Sequence, residues 1–164
     1  MKMLECFFDE MIFTNELING NDFFRKEIGK TEYSIAKILK ENPHPNIVDI
    51  YKLTPGILDI ELLDIKDYNE TKLQIDMSKA KNHLQSLGII YFDWKTDNLG
   101  LSNDGNYKLF DFDSSGILDL KTKKWIIIPE MTYWSYRMAE KENILDPFEM
   151  DNYAFDIGLL NRPF

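Results

Sequence analysis

Four residues of this chain have types and spacings that could do chemistry together: Asp93, Lys95, Asn98 and Asp111. The first three follow the apolar run Ile89-Ile90-Tyr91, and Asp111 comes at the end of Tyr107-Lys108-Leu109-Phe110, thirteen positions beyond Asn98. Between them, Leu99-Gly100-Leu101 and Tyr107–Phe110 flank Ser102-Asn103-Asp104-Gly105-Asn106, a hairpin sequence with an Asp-Gly turn. A hairpin brings its two ends together, so Asn98 and Asp111 can face one another. An amide oxygen beside a carboxylate is a hard-oxygen pair suited to Mg²⁺, which takes one or two protein ligands and completes its shell with water or phosphate. Asp93 would lie across the loop, able to orient a hydroxyl. Lys95 could reach the same space and offset charge on a transferring phosphoryl group. Asp and Asn are also ordinary turn residues that bond their own backbone. The order of the elements lifts the pattern above that baseline: helix, Gly, strand, Asp-x-Lys-x-x-Asn, hairpin and Asp-Phe run in sequence between Leu73 and Phe112.

The elements that must position these groups are readable from periodicity. Leu73, Met77, Ala80, Leu84 and Leu87 recur at steps of four, three, four and three, which predicts one apolar helical face with Gly88 as its stop. A second helix is expected from about Thr31 to Glu41, with Ile35, Ile38 and Leu39 on one face, Thr31 as N-cap, and Pro43 and Pro45 ending it. Ile47–Tyr51 and Ile57–Leu62 read as strands around Pro55-Gly56. Met11–Phe13 and Phe23-Phe24 flank Asn19-Gly20, another hairpin signal. Trp125–Ile128 reads as a strand, and a final helix is expected from about Tyr153. The pattern predicts an α+β fold, with a small antiparallel sheet carrying one helix and then a mainly helical part.

Composition sets outer bounds. The chain has 164 residues with 19 Lys+Arg against 28 Asp+Glu, a net charge of −9 that disfavours nonspecific nucleic-acid binding through a basic face. A hydrophobic fraction of 44% with 29% charged residues is globular composition. Cys6 is alone, which excludes an internal disulfide and a cysteine-rich zinc site. No apolar run is long enough to cross a bilayer, and the acids within MKMLECFFDEMIF argue against a secretory signal. These features predict a cytoplasmic chain with neither membrane nor nucleic-acid partners. His44 reads as a loop cap and His83 as a residue on the polar side of its helix. Trp94 reads as a packing anchor, and Lys121–Lys124 as a solvated turn.

The composite resembles a known family. Leu84–Leu101, LQSLGIIYFDWKTDNLGL, is similar to the catalytic loop of eukaryotic-type serine/threonine protein kinases, with Asp93 at the catalytic aspartate and Asn98 at the metal-binding asparagine. Asp111-Phe112-Asp113 looks like Asp-Phe-Gly with its glycine replaced. His44–Val48 is similar to the segment after the family's αC helix, and Leu58–Leu63 to the strand that runs into the hinge. Thr132–Glu140 looks like the end of an activation segment, with Pro129-Glu130 as an alternative closing motif; closure at Glu140 puts Asp151 at the spacing of the aspartate opening the next helix. The resemblance implies a reduced N-lobe over residues 1–62 and a truncated C-lobe over 63–164. It implies ATP and Mg as cofactors and a protein hydroxyl as acceptor, with Asp93 and Lys95 catalytic. Asn98 and Asp111 would hold the metal. Lys26, its partner Glu32, and the hinge residues Glu61 and Leu63 would hold the nucleotide.

The departures leave two readings open, a minimal virus-like kinase and a pseudokinase that binds nucleotide or protein without efficient transfer. A small-molecule kinase is a third reading, disfavoured by Lys95. No G-x-G-x-x-G precedes the first strands, and Lys26 and Glu32 are only six residues apart. A kinase domain usually needs ~250 residues, so the helical face left uncovered implies a homodimer or a partner protein. Tyr91-Phe92 stands where the family has His-Arg, which removes the docking pocket for a phosphorylated activation loop. Phosphatase treatment is therefore expected to leave any phosphotransfer rate unchanged, and a large phosphatase-sensitive drop would contradict this.

Overall fold

The structure is a computed structural model, and it describes residues 22–64, 68–130 and 134–160. The Met11–Phe13/Asn19-Gly20 hairpin, Cys6 and Thr132 lie outside these residues. Helices and small antiparallel sheets alternate along the chain in an α+β arrangement. Among the described residues no helix is long and apolar enough to cross a membrane.

The first sheet has the order β1-β3-β2, from β1 (Phe23–Glu27), β2 (Ile50–Thr54) and β3 (Ile57–Glu61). Between β1 and β2 the chain forms α1 (Lys30–Glu41), which buries Ile35, Ala36 and Leu39 on one face together with Glu32. The helix starts one residue before the expected Thr31 cap. Gly29 is its N-cap and supplies no side-chain bond, so packing of the apolar face holds this end. At the other end Asn42 donates its backbone N–H to Ile38 and Leu39, and Pro43 follows. Ile47 lies outside β2 and makes a single parallel bridge to Leu109.

The second helix, α2 (Glu70–Ser86), is capped by the Asn69 side chain, which accepts from the Lys72 N–H, and it buries Leu73, Met77, Ala80 and Leu84. Gly88 takes φ +74°, and a Cβ there would meet the Leu118 carbonyl at 2.4 Å, so glycine is required twice over. Next come β4 (Ile89–Ile90), a 3₁₀ turn (Thr96–Asn98), and the hairpin of β5 (Leu99–Leu101) with β6 (Tyr107–Leu109). A second small sheet sets β4 against β7 (Gly116–Leu118) and β7 against β8 (Trp125–Ile127). Two helices follow, α3 (Trp134–Lys141) and α4 (Pro147–Phe155), and a π-helical turn, Asp156–Leu160. The final helix thus begins at Pro147 rather than Tyr153. Asp146 accepts from the N–H groups of Phe148 and Glu149, and Pro147 fits the first turn, where an N–H would have no helical partner.

The hairpin is stitched to the first sheet by backbone bonds. Val48 donates to the Leu109 carbonyl and Leu109 to the Asn46 carbonyl, each at 3.0 Å, while Asp64 and Leu101 exchange bonds of 2.9 and 2.8 Å. Lys108 lies buried in this seam, 2.8 Å from Glu61 and 3.2 Å from Asp49. A lysine this buried requires its carboxylates, because an unpaired charge there would have to be desolvated.

A second tie joins the loop after α1 to α2. The rings of His44 and His83 stack with centroids 4.5 Å apart. His44 Nδ1 accepts from the Asn46 N–H at 3.1 Å, which requires a neutral ring. Burial, then the neighbouring His83 and Lys79, lower the His44 pKa below the usual 6.5. A histidine depressed in the folded state contributes stability that is present above its unfolded pKa and lost as pH falls through the folded value. Urea midpoints are expected to drop when pH is lowered from 7.5 to 5.5, with a shallower drop in His44→Asn. An identical dependence in both proteins would contradict this.

Candidate functional site

Lys26 leaves β1 toward α1, and its Nζ sits 2.9 Å from Glu32 Oε2 and in contact with Asp111 Oδ1. Glu32 also accepts from the Phe112 N–H at 3.1 Å. One carboxylate therefore ties the first strand to the segment after the β5–β6 hairpin. Glu32 and Asp111 together raise the Lys26 pKa, overcoming the burial that would lower it, so the ammonium stays charged.

The hairpin brings Asn98 and Asp111 to one place. The Phe110 N–H donates to the Asn98 carbonyl at 3.0 Å, and the Tyr91 hydroxyl donates to the Phe110 carbonyl at 2.7 Å. Asp111 then turns through φ +63°, a left-handed conformation that Asp tolerates better than bulkier residues. The carboxamide of Asn98 has a defined direction. Its Nδ2 donates both hydrogens to Asp93, at 3.0 Å to the backbone carbonyl and 2.7 Å to Oδ2. That leaves Asn98 Oδ1 buried with no hydrogen-bond partner. An orphaned buried acceptor costs roughly 1–3 kcal/mol, and a hard cation would satisfy it. Asn98 Oδ1 and the Asp111 carboxylate are the oxygens that could hold such an ion. Among the described residues no three His, Cys, Asp or Glu side chains gather as a metal site. An ion bound through two protein oxygens would draw most of its shell from water and phosphate.

Asp93 is 4% exposed, and Lys95 Nζ lies 3.0 Å from its Oδ2. Burial raises the Asp93 pKa against the opposing bonds from Lys95 and Asn98. A carboxylate raised in this way is a better proton acceptor than a solvated one. Beside Lys26 and Asp111 lies a mostly apolar recess lined by Phe24, Ala36, Val48, Ile50, Leu58, Ile60, Phe110 and Phe112. Glu61 and Leu63 do not line it. The Glu61 carboxylate turns to Lys108 and to the Ser102 hydroxyl, which donates to it, and its backbone N–H donates to Asp49. Leu63 is fully buried, and a Cβ on Gly100 would lie 2.7 Å from Leu63 Cβ.

Beneath the loop is Asp151, fully buried in the interior of α4 rather than opening a helix. It accepts from the Phe92 N–H at 2.9 Å, the Trp94 Nε1–H at 2.7 Å and Gln85 Nε2 at 3.0 Å. Trp94 packs edge-on against Tyr91 and Phe155. Phe92 adopts φ +63°, which for a bulky residue is a strain of order 1–3 kcal/mol that the surroundings must hold.

Gly158 is a close-approach position beneath the loop that sequence reasoning missed. It lies in the π-helical turn, and a Cβ there would fall 1.9 Å from the Trp94 carbonyl oxygen. A glycine inside a helical pattern was the available signal. Because the clash is with backbone, Gly158→Ala should destabilise the chain by at least about 1–3 kcal/mol in chemical denaturation and shift the Trp94 environment. Wild-type stability in that variant would show the loop to be looser than this packing requires.

No family model matches the chain. Among curated proteins it is similar to the serine/threonine-protein kinase shk2 of Schizosaccharomyces pombe, 27% identical over 136 residues, covering 73% of this chain and 23% of that protein. It is similar also to the serine/threonine-protein kinase ppk6 of the same organism, 34% identical over 118 residues, covering 56% and 14% respectively. A third relative is the serine/threonine-protein kinase MST20 of Pyricularia oryzae, 31% identical over 113 residues, covering 59% and 12%. The chain spans less than a quarter of the length of these curated relatives. With Asp93, Asn98 and Asp111 gathered around one loop and hairpin, this is a kinase-like chain similar to the serine/threonine protein kinases.

Proposed function

We propose that the chain carries the phosphotransfer centre of a serine/threonine-type protein kinase, with residues 1–62 on the N-lobe side and 63–164 on the C-lobe side. The observation that carries this is the Asn98 carboxamide, whose donors are both spent on Asp93 while its oxygen is buried without a hydrogen-bond partner. Mg²⁺ held at Asn98 and Asp111 would neutralise charge on the phosphates of ATP as the terminal phosphoryl group leaves. Lys26, charged and anchored by Glu32, would pair with the remaining phosphate oxygens. Asp93 would accept a hydrogen bond from the acceptor hydroxyl and align it, while Lys95, already at 3.0 Å, shields the charge that gathers beside it. The acceptor would be a Ser or Thr hydroxyl of a protein.

A second reading is favoured by a specific contact. Lys26 rests directly on Asp111, the carboxylate that the kinase reading gives to Mg²⁺. A pseudokinase that holds this closed arrangement would bind protein or nucleotide without transferring phosphoryl.

Thermal shift with ATP and Mg²⁺, followed by radiolabel transfer to a generic basic protein, separates the two. The kinase reading expects stabilisation by ATP with Mg²⁺ and transfer reduced roughly 10²–10⁴-fold in Asp93→Asn, with loss of Mg²⁺-dependent binding in Asp111→Asn. Binding without transfer, unchanged in Asp93→Asn, would establish the pseudokinase. No response to either ligand would overturn both.

A further inference from the structure

The residue before Asp93 is held from three sides, and one of those sides is not part of the site described above. Phe92 is 1% exposed and sits at φ +63°. Across it, the Asp93 N–H donates back to the Tyr91 carbonyl at 2.8 Å, closing a three-residue turn. A bulky residue in this region of backbone space persists only where the surroundings over-determine it. The Phe92 N–H is held by Asp151. Its carbonyl accepts from the Ser135 hydroxyl at 3.2 Å, and its ring meets Tyr136 edge-to-face with centroids 5.8 Å apart. Ser135 is itself 1% exposed. Both are in the first turn of α3, more than forty residues along the chain.

We infer that Ser135 and Tyr136 are positioning residues for Asp93, forming a clasp of one hydroxyl and one aromatic edge through which α3 sets the direction of the Asp93 carboxylate. The physical reason is leverage. A three-residue turn has almost no internal freedom, so the strained dihedrals of Phe92 fix where the next side chain points. Asp151 grips only the N–H side of that residue. Without α3 the carbonyl and the ring would be free to relax toward ordinary backbone angles, and that shift would work against the bonds by which Asn98 and Lys95 hold Asp93. The clasp contains no charge, so its grip on the loop needs neither a phosphate group nor a counter-ion. Its effect on rate rests on the reading of Asp93 as the group that aligns the acceptor hydroxyl, whereas its effect on the loop does not.

The test uses the full chain with Tyr136→Ala, Tyr136→Phe and Ser135→Ala, and reads two signals. The first is kcat and KM for ATP. The second is the indole N–H resonance of Trp94, identified by its loss in Trp94→Phe, together with amide exchange at Asp93. Tyr136→Ala is expected to lower kcat about 10- to 100-fold, leave KM for ATP within about twofold, move the Trp94 resonance and speed exchange at Asp93. Tyr136→Phe keeps the ring and should restore kcat, the Trp94 resonance and the exchange at Asp93. Ser135→Ala should move the resonance in the same direction by less. An unmoved Trp94 resonance and unchanged Asp93 exchange in both Tyr136→Ala and Ser135→Ala would overturn the clasp. If the wild-type chain transfers no phosphoryl, the kinase reading fails, and the resonance and exchange decide the clasp alone.

Discussion

The arrangement depends first on a buried carboxylate that two distant segments must share. Glu32 is 2% exposed, yet it holds the Lys26 ammonium from β1 and the Phe112 N–H from beyond the hairpin. Removing a carboxylate from water is tolerated only when its oxygens are nearly all engaged. The charge therefore dictates that β1, α1 and the Asp111-Phe112 segment meet at one point. Asp111 lies next to that point by chain connectivity, and its contact with Lys26 completes a three-residue network.

Asp151 solves the same problem on the other side of the loop. Its oxygens take a backbone N–H, an indole N–H and an amide, so the backbone at Phe92 and the ring of Trp94 are the counterpart of a buried acid. Asp93 and Asn98 are bonded directly to each other, and Asp111 follows Phe110, whose N–H bonds Asn98. Asn98 spends both amide hydrogens on Asp93 and its carbonyl on the Phe110 N–H, which leaves its Oδ1 without a hydrogen-bond partner. Lys108 and Glu61 form a buried ion pair in the seam between the first sheet and the hairpin, with the exposed Asp49 carboxylate reaching Lys108 from outside, and together they tie the two elements in register.

Much of this was legible in the sequence where a local pattern determines the outcome. The apolar spacing of α2 and the Asp-Gly hairpin predicted elements that the structure contains, and the hairpin alone was enough to expect Asn98 near Asp111. Where tertiary contacts decide, the reading was wrong or silent. Thr31 was expected to cap α1, but the apolar face holds that end without a side-chain cap. The start of α4 was signalled by Asp146-Pro147, a cap followed by a first-turn proline, yet the expectation fell on Tyr153. The direction of the Asn98 amide, the strain at Phe92 and the close approach at Gly158 each arise from partners far away in the chain. No local pattern encodes them.

The central claim is that Asn98 Oδ1 and the Asp111 carboxylate share one divalent cation in the presence of nucleotide. Paramagnetic broadening by Mn²⁺ in the presence of ATP, read on the Asn98 side-chain amide resonances, tests it most directly. The account predicts selective, nucleotide-dependent broadening of those signals that Asp111→Asn abolishes. Sharp Asn98 signals at saturating Mn²⁺ and ATP would contradict it.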